Sequence, residues 1–175
     1  MKRWAWFAVA ILAVAFARPA MAQSDDLSKV EAFGGYSYVH VSDRGVSGNG
    51  NGGSGAVSYN VTPMIGVVAD FGGYTGSAHG FDGNIISYMF GPRVSYHTGK
   101  LTPFAQALFG GSRFSASGTS ENDFSLAVGG GVDYALTSHF SVRPIQAEYY
   151  MTKFSDGANN RQNNFRYSAG IVYRF

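Results

Sequence analysis

The sequence predicts an all-β chain: an eight-stranded antiparallel transmembrane β-barrel, wound as an up-and-down meander behind a cleavable signal peptide. Three observations predict it. The last ten residues alternate, with Tyr167, Ala169, Ile171, Tyr173 and Phe175 on one face and Arg166, Ser168, Gly170, Val172 and Arg174 on the other. A period of two marks a strand between two different environments. Here the apolar face is aromatic at both ends and the opposite face is polar or small, as a strand between lipid and a polar lumen requires. Next, the chain opens with an export signal. Finally, no later stretch is apolar and long enough for a transmembrane helix, because Gly and charged residues interrupt every one.

The export signal is built from the basic Met1-Lys2-Arg3, the apolar run Trp4 to Phe16 and the small residues of Ala20-Met21-Ala22. Cleavage is expected before Gln23, so residues 1–22 are the signal peptide and 23–175 the barrel domain. The apolar run is too short to span a bilayer, which needs about 20 residues, and Arg18-Pro19 interrupts it. Lys2, Arg3 and Arg18 leave with the signal, so 13 basic residues fall to 10 against 11 acidic ones and the mature chain is slightly negative. That balance offers no basic patch for nucleic acid. Cysteine is absent, so no disulfide supports the exported chain. A closed barrel needs none, since its ladder satisfies every backbone group. The chain left after cleavage is long enough for eight strands of about ten residues with their connections.

The first strand is read over Val30 to Val41, with Glu31 inward and Tyr36, Tyr38 and His40 outward. Ser42 to Ser54, rich in Gly, Asn and Ser, is read as a flexible outer loop. The second strand, Gly55 to Val61, puts Val57, Tyr59 and Val61 on one face. Thr62-Pro63-Met64 makes a tight turn, where proline removes no ladder donor. The third strand, Ile65 to Tyr74, separates Val67, Ala69 and Phe71 from Gly66, Val68 and Asp70, and Thr75 to Gly83 is the second loop. The fourth, Asn84 to Tyr96, sends Ile86, Tyr88, Phe90, Val94 and Tyr96 outward and Ser87, Met89, Gly91, Arg93 and Ser95 inward. His97-Thr98-Gly99-Lys100 turns the chain back.

The fifth strand, Leu101 to Ser112, resists phasing: with Gln106 inside, Phe104 and Leu108 also enter the lumen, and Gly110-Gly111 is expected to carry a bulge that shifts the register. Arg113 to Asp123 is the third loop. The sixth strand, Phe124 to Leu136, sends Leu126, Val128, Val132 and Tyr134 out and Asp133 in, before the turn Thr137-Ser138-His139. The seventh, Phe140 to Phe154, sends Ile145, Ala147, Tyr149 and Met151 out and Gln146 and Glu148 in. A bulge at Pro144 is expected to let Arg143 face inward too. Ser155 to Asn164 is the fourth loop, and Phe165 to Phe175 the eighth strand. Long polar connections thus alternate with short ones, as outer loops alternate with periplasmic turns in such barrels.

Several segments together carry a family resemblance: Glu31-Ala32-Phe33-Gly34-Gly35-Tyr36-Ser37-Tyr38, Phe90-Gly91-Pro92-Arg93, Gly129-Gly130-Gly131-Val132-Asp133-Tyr134 and the Tyr173-Arg174-Phe175 end. They resemble small eight-stranded outer-membrane barrels of the OmpA-like, OmpX-like or opacity-type porin family, over essentially the whole mature chain. The resemblance implies residence in the outer membrane, surrounded by outer-membrane lipid, without the peptidoglycan-binding domain that some members append. It also implies that Tyr167, Ala169, Ile171, Tyr173 and Phe175 form the signal read by the barrel-assembly machinery.

Eight charges are phased into the lumen: Glu31, Asp70, Asp133 and Glu148 against Arg93, Arg143, Arg166 and Arg174. An eight-strand barrel has room for side chains but hardly for a channel, so these charges are expected to pair. Glu31 and Arg174, near the periplasmic ends of the first and last strands, are expected to meet. The favoured function is a barrel with a plugged polar lumen that serves envelope integrity or binds an unidentified ligand at its outer loops, where Arg44, Phe81, Arg113, Phe114 and Arg161 are the few anchors. The alternative is a narrow pore for small solutes or ions.

An enzyme is not expected. The less favoured alternative is a rim-sited lipid-modifying enzyme: His40, Asp43, His79 and Asp82 can all lie near the outer rim with serines nearby, a coincidence that carries little weight by itself. No cofactor is expected, and no metal, because His40, His79, His97 and His139 stand at no ligand spacing. Gly48-Asn49-Gly50-Asn51-Gly52-Gly53 fits a dinucleotide-loop pattern without the helix such a site needs. Asn60-Val61-Thr62 fits a glycosylation sequon, which carries no weight at a periplasmic turn of a bacterial protein. A soluble lipocalin-like barrel would reverse the faces, crowding Tyr88, Phe90, Tyr167 and Tyr173 into a small interior.

Overall fold

Side chains that alternate between apolar and polar can bury neither face alone, and a curved sheet that closes on itself gives each face its own solvent. The computed structural model describes residues 28–43, 46–78, 81–116, 119–153 and 161–175, and among them the side chains outside 41–47, 77–83, 114, 116, 119–121, 152–153 and 161–163. The expected signal peptide lies outside the described residues, as do Arg44 and His79 and the side chains of Asp43, Phe81, Asp82, Phe114 and Arg161.

Eight strands follow one another: β1 (Val30–Asp43), β2 (Val46–Asn60), β3 (Ile65–Ala78), β4 (Phe81–Ser95), β5 (Leu101–Ala116), β6 (Thr119–Ala135), β7 (Phe140–Lys153) and β8 (Arg161–Arg174). Each pairs antiparallel with its neighbours, and β8 returns to β1 to close the barrel. Following paired residues once around from Ala32 through Val57, Ala69, Phe90, Phe109, Leu126, Met151 and Asn163 returns to β1 at Ser42, ten residues further on. That stagger tilts the strands by roughly 35–45° and leaves an interior just wide enough for side chains.

Two of the three short connections are built alike. Thr62 Oγ1 accepts from the amides of Met64 (3.3 Å) and Ile65 (2.9 Å), and Thr137 Oγ1 accepts from those of His139 (3.3 Å) and Phe140 (3.0 Å). Each threonine thus closes its turn with a local side-chain bond that competes with further strand. The third turn relies on Gly99, whose φ of 57° is the left-handed conformation that glycine adopts without penalty.

The expected outer loops are mostly strand. The composition of Ser42–Ser54 predicts a loop, yet β1 and β2 stay in register up to the pair Asp43↔Val46, and the Gly48–Gly53 stretch lies inside β2. Likewise β3 and β4 pair up to Ala78↔Phe81, β5 and β6 up to Ala116↔Thr119, and β7 and β8 up to Lys153↔Arg161. The weak strand preference of Gly, Asn and Ser is overridden because a partner lies on each side, and strand propensity is mostly a matter of that context. Gly52 fits for a specific reason: a Cβ there would sit 1.9 Å from the carbonyl oxygen of Gly73. The strands are 14 to 17 residues long. Since about 9–11 suffice to cross a bilayer, the barrel wall continues beyond the hydrocarbon.

The bulge expected at Gly110-Gly111 is absent from the pairing. The β4–β5 and β5–β6 registers run through both residues unshifted. The glycines answer to space instead, for a Cβ on Gly111 would meet the Tyr88 hydroxyl at 2.6 Å and its ring at 2.8 Å. A shift does occur at Pro144: β7 slips between Arg143 and Gln146, so Pro144 and Ile145 both face out while Arg143 and Gln146 both face in. Proline lacks the ladder donor, and the bulge is where that lack is tolerated.

Candidate functional site

The lumen is the only place in the barrel where charge is buried among the described side chains. The parity of each strand points the eight predicted charges there, and Arg143, Arg166, Glu148 and Asp70 are each 1 % exposed or less. They form one connected network. At the periplasmic end Arg174 Nε donates to Glu31 at 3.1 Å, and Arg93 lies 4.0 Å from the same carboxylate. Arg93 also donates to Gln106 Oε1 at 3.0 and 2.8 Å and to Ser58 at 3.3 Å. Gln106 passes the connection on, donating to Glu148 at 2.8 Å. Arg143 holds Asp133 through two donors at 2.6 and 2.9 Å and donates to Gln146, which donates to Glu148 at 2.9 Å. Arg166 bridges Glu148 (2.6 Å) and Asp70 (2.7 Å) and reaches Tyr74 Oη at 3.1 Å.

Glu148 is the hub, accepting from Arg166, Gln106 and Gln146. Within this network four carboxylates meet four guanidiniums, so its own charges sum to zero; the buried Asp123 is a further lumen carboxylate. A buried charge is tolerable when paired and hydrogen-bonded, and fork-shaped guanidiniums suit this role because each serves two acceptors.

Two apolar features close the spaces between the charges. The Phe104 ring lies between two arginines, with the Arg93 guanidinium 4.4 Å and that of Arg143 4.3 Å from its centroid, and Arg143 also lies 4.5 Å from the Phe33 centroid. Stacked cations of this kind gain from the ring's electron-rich face. A buried cluster of Phe33, Ala56, Val68, Met89, Leu108, Ala127, Tyr150 and Val172 fills the space alongside. Glycine makes room for the large members: a Cβ on Gly131 would meet Phe104 at 2.9 Å, and one on Gly129 the Glu148 Cγ at 2.7 Å. Serines finish the lining, with Ser37 bonded to Ser54 and Ser168 (both 2.6 Å) and Ser112 to Ser125 (2.7 Å) and Tyr150.

The structure therefore places all eight predicted charges together, including Glu31 beside Arg174. Sequence reasoning missed Gln106 and Gln146 as connectors and Tyr74 and Tyr150 as lumen residues. Strand parity was the available signal for all four. The terminal set Tyr167, Ala169, Ile171, Tyr173 and Phe175 faces outward, and Tyr173 packs edge-on against Phe140 (5.0 Å) and Phe175 (4.8 Å). At the rim, His40 Nδ1 bonds Asn49 Oδ1 at 2.8 Å. His79 and the side chains of Asp43 and Asp82 lie outside the described residues. Among the described residues no group of three or more His, Asp and Glu is arranged to hold a metal.

A family model described as "Outer membrane protein beta-barrel domain" matches residues 8–175. The chain belongs to this family. It is an outer-membrane β-barrel protein with membrane-spanning strands. No curated protein matches its sequence. The fold is similar to the crystal structure of Neisserial surface protein A, with a TM-score of 0.73 at 19 % identity, covering 85 % of this chain and 98 % of that one. It is also similar to the crystal structure of Ail, the attachment invasion locus protein of Yersinia pestis, with a TM-score of 0.58 at 22 % identity, covering 85 % and 99 %.

Membership gives the barrel its direction: the short turns face the periplasm and the β1–β2, β3–β4, β5–β6 and β7–β8 connections face outward. His97, in the turn after β4, then lies at the periplasmic mouth. Burial lowers its pKa from the ordinary 6.5, against the upward pull of Glu31 and the Pro63 backbone, while Arg174 adds to the lowering. An imidazole harder to protonate when folded makes the unfolded chain bind more protons, so its contribution is complete above about pH 6.5 and declines as pH falls below that value. Unfolding titrations at pH 8 and pH 5 are expected to show a smaller acid loss for H97Q than for the parent. Equal losses would mean that His97 titrates as it does in the unfolded chain.

Proposed function

We propose that this protein is a non-conducting, non-catalytic outer-membrane barrel whose lumen is a solid polar core, and whose work lies at its outer surface, in envelope integrity or ligand contact by the outer hairpins. One observation carries the reading: the eight lumen charges are joined to one another through Gln106 and Gln146, with Phe104 and Phe33 stacked on the guanidiniums. A conducting lumen needs charges that face water, whereas these face each other. Outer-membrane lipid surrounds the apolar belt, and the barrel-assembly machinery is the proposed reader of the terminal strand that ends in Tyr173 and Phe175.

The test is single-channel recording of the refolded mature protein in a planar bilayer, after heat-dependent gel mobility confirms folding. A folded but silent barrel is expected. Steady discrete openings that change when Arg93 is neutralised would establish the narrow-pore alternative instead.

A further inference from the structure

On the outer half of β1 to β4, the outward faces change from apolar to neutral hydrogen-bonding groups. Tyr38 Oη donates to Asn49 Oδ1 at 2.8 Å, His40 bonds the same oxygen, Tyr36 Oη donates to Asn51 Oδ1, and Thr75 Oγ1 donates to Asn84 Oδ1 at 3.1 Å. These bonds use the amide oxygens. The exposed amide nitrogens of Asn49 and Asn51 donate to no acceptor among the described residues. The described side chains of this face include no lysine or arginine; the outward Arg113 stands on β5.

Directly toward the membrane from these amides the wall is bare. Gly34 pairs with Gly55, and Gly53 with Gly73, all on the outward face. A Cβ on Gly34 or Gly73 would meet nothing within 4 Å, and one on Gly53 only a carbonyl oxygen at 3.6 Å. In the same rows Ile171, Phe71, Tyr36 and Ile86 stand exposed at either side. The result is a shallow apolar trough with side-chain walls, continuous with a row of spare amide donors at its outer end.

We propose that this face docks one outer-leaflet glycolipid, with its saccharide headgroup on Asn49, Asn51, Tyr38 and Thr75 and one acyl chain along Gly34, Gly53, Gly55 and Gly73. The occupant follows from chemistry and position. Neutral amides and hydroxyls match sugar hydroxyls, whereas a phospholipid headgroup with no sugar would call for a cation. The trough lies at membrane depth, where a lipid chain is the available apolar partner. This inference rests on the outer-membrane location and is independent of whether the lumen conducts.

Native mass spectrometry of the refolded barrel from micelles doped with lipid A or with phosphatidylglycerol tests it. A single lipid A adduct is expected, retained with dephosphorylated lipid A and at least tenfold weaker in both N49A/N51A and G53L/G73L. The leucine pair fills the trough at positions with open space, so folding is retained, and gel mobility checks both variants. R113A is expected to bind as the parent does. Equal adducts with phosphatidylglycerol, loss on dephosphorylation, loss in R113A, or undiminished binding by the two folded double variants would each overturn the proposal.

Discussion

Replacing Glu148 with alanine is expected to destabilise the folded barrel by about 3–5 kcal/mol, the cost of breaking a buried ion pair from one side. Glu148 accepts from three side chains at once. Its removal leaves Arg166 with Asp70 and Tyr74, strips Gln106 and Gln146 of an acceptor, and leaves the network around it with one more guanidinium than carboxylates in a space that water hardly enters. Arg166 replaced by methionine is expected to cost a similar amount, because Glu148 and Asp70 would then repel one another. The double variant E148A/R166M is expected to cost clearly less than the sum, since each change removes the group that the other leaves stranded. E148Q, which keeps the shape and one acceptor, falls between alanine and the parent. Urea unfolding of the barrel in lipid vesicles reads these differences. A loss below about 1 kcal/mol for E148A would put the charge in the range of solvated surface pairs, and with it water in the lumen.

The charges were legible in the sequence because period two is a strict rule: once Glu31, Asp70 or Arg174 is assigned a face, every second residue follows. The bulge at Pro144 was legible for the same reason, since Arg143 and Gln146 both carry lumen chemistry at a spacing no regular strand permits. What could not be read was extent. Gly48–Gly53 has the composition of a loop, and only its pairing with β1 on one side and β3 on the other makes it strand. Local preference is weak there, and closure of the barrel decides. Gly110-Gly111 misled in the opposite direction. A glycine pair in a strand suggests a bulge, but these two relieve contact with the Tyr88 and Met89 backbone and the Tyr88 ring. Gln106 and Gln146 were seen to point inward, yet their role as bridges depends on which carboxylate stands opposite, and that is set by the register across three strands.

Phe104 is the residue whose loss is expected to separate a solid lumen from a leaky one. Its inward direction looks like an error of phase when the strand is read alone, for a phenylalanine among charges has no partner in the sequence. In the folded barrel its ring fills the gap between the Arg93 and Arg143 guanidiniums, which would otherwise face each other across a void. F104A is expected to lose about 3–5 kcal/mol through the cavity it creates, with a further contribution from the two cation–ring contacts. The void is polar on two sides, so water enters it and the arginines become hydrated. Two readouts should therefore move together: the urea midpoint falls, and the bilayer recordings of the folded variant show current that the parent lacks. F104L, which keeps most of the volume and none of the ring, is expected to recover much of the stability and to stay silent. If F104A folds, loses stability and remains silent, the apolar cluster around Leu108 and Met89 blocks the path by itself, and Phe104 serves only to pack the arginines. If F104A matches the parent in both, the ring is dispensable and the charge network alone holds the lumen closed.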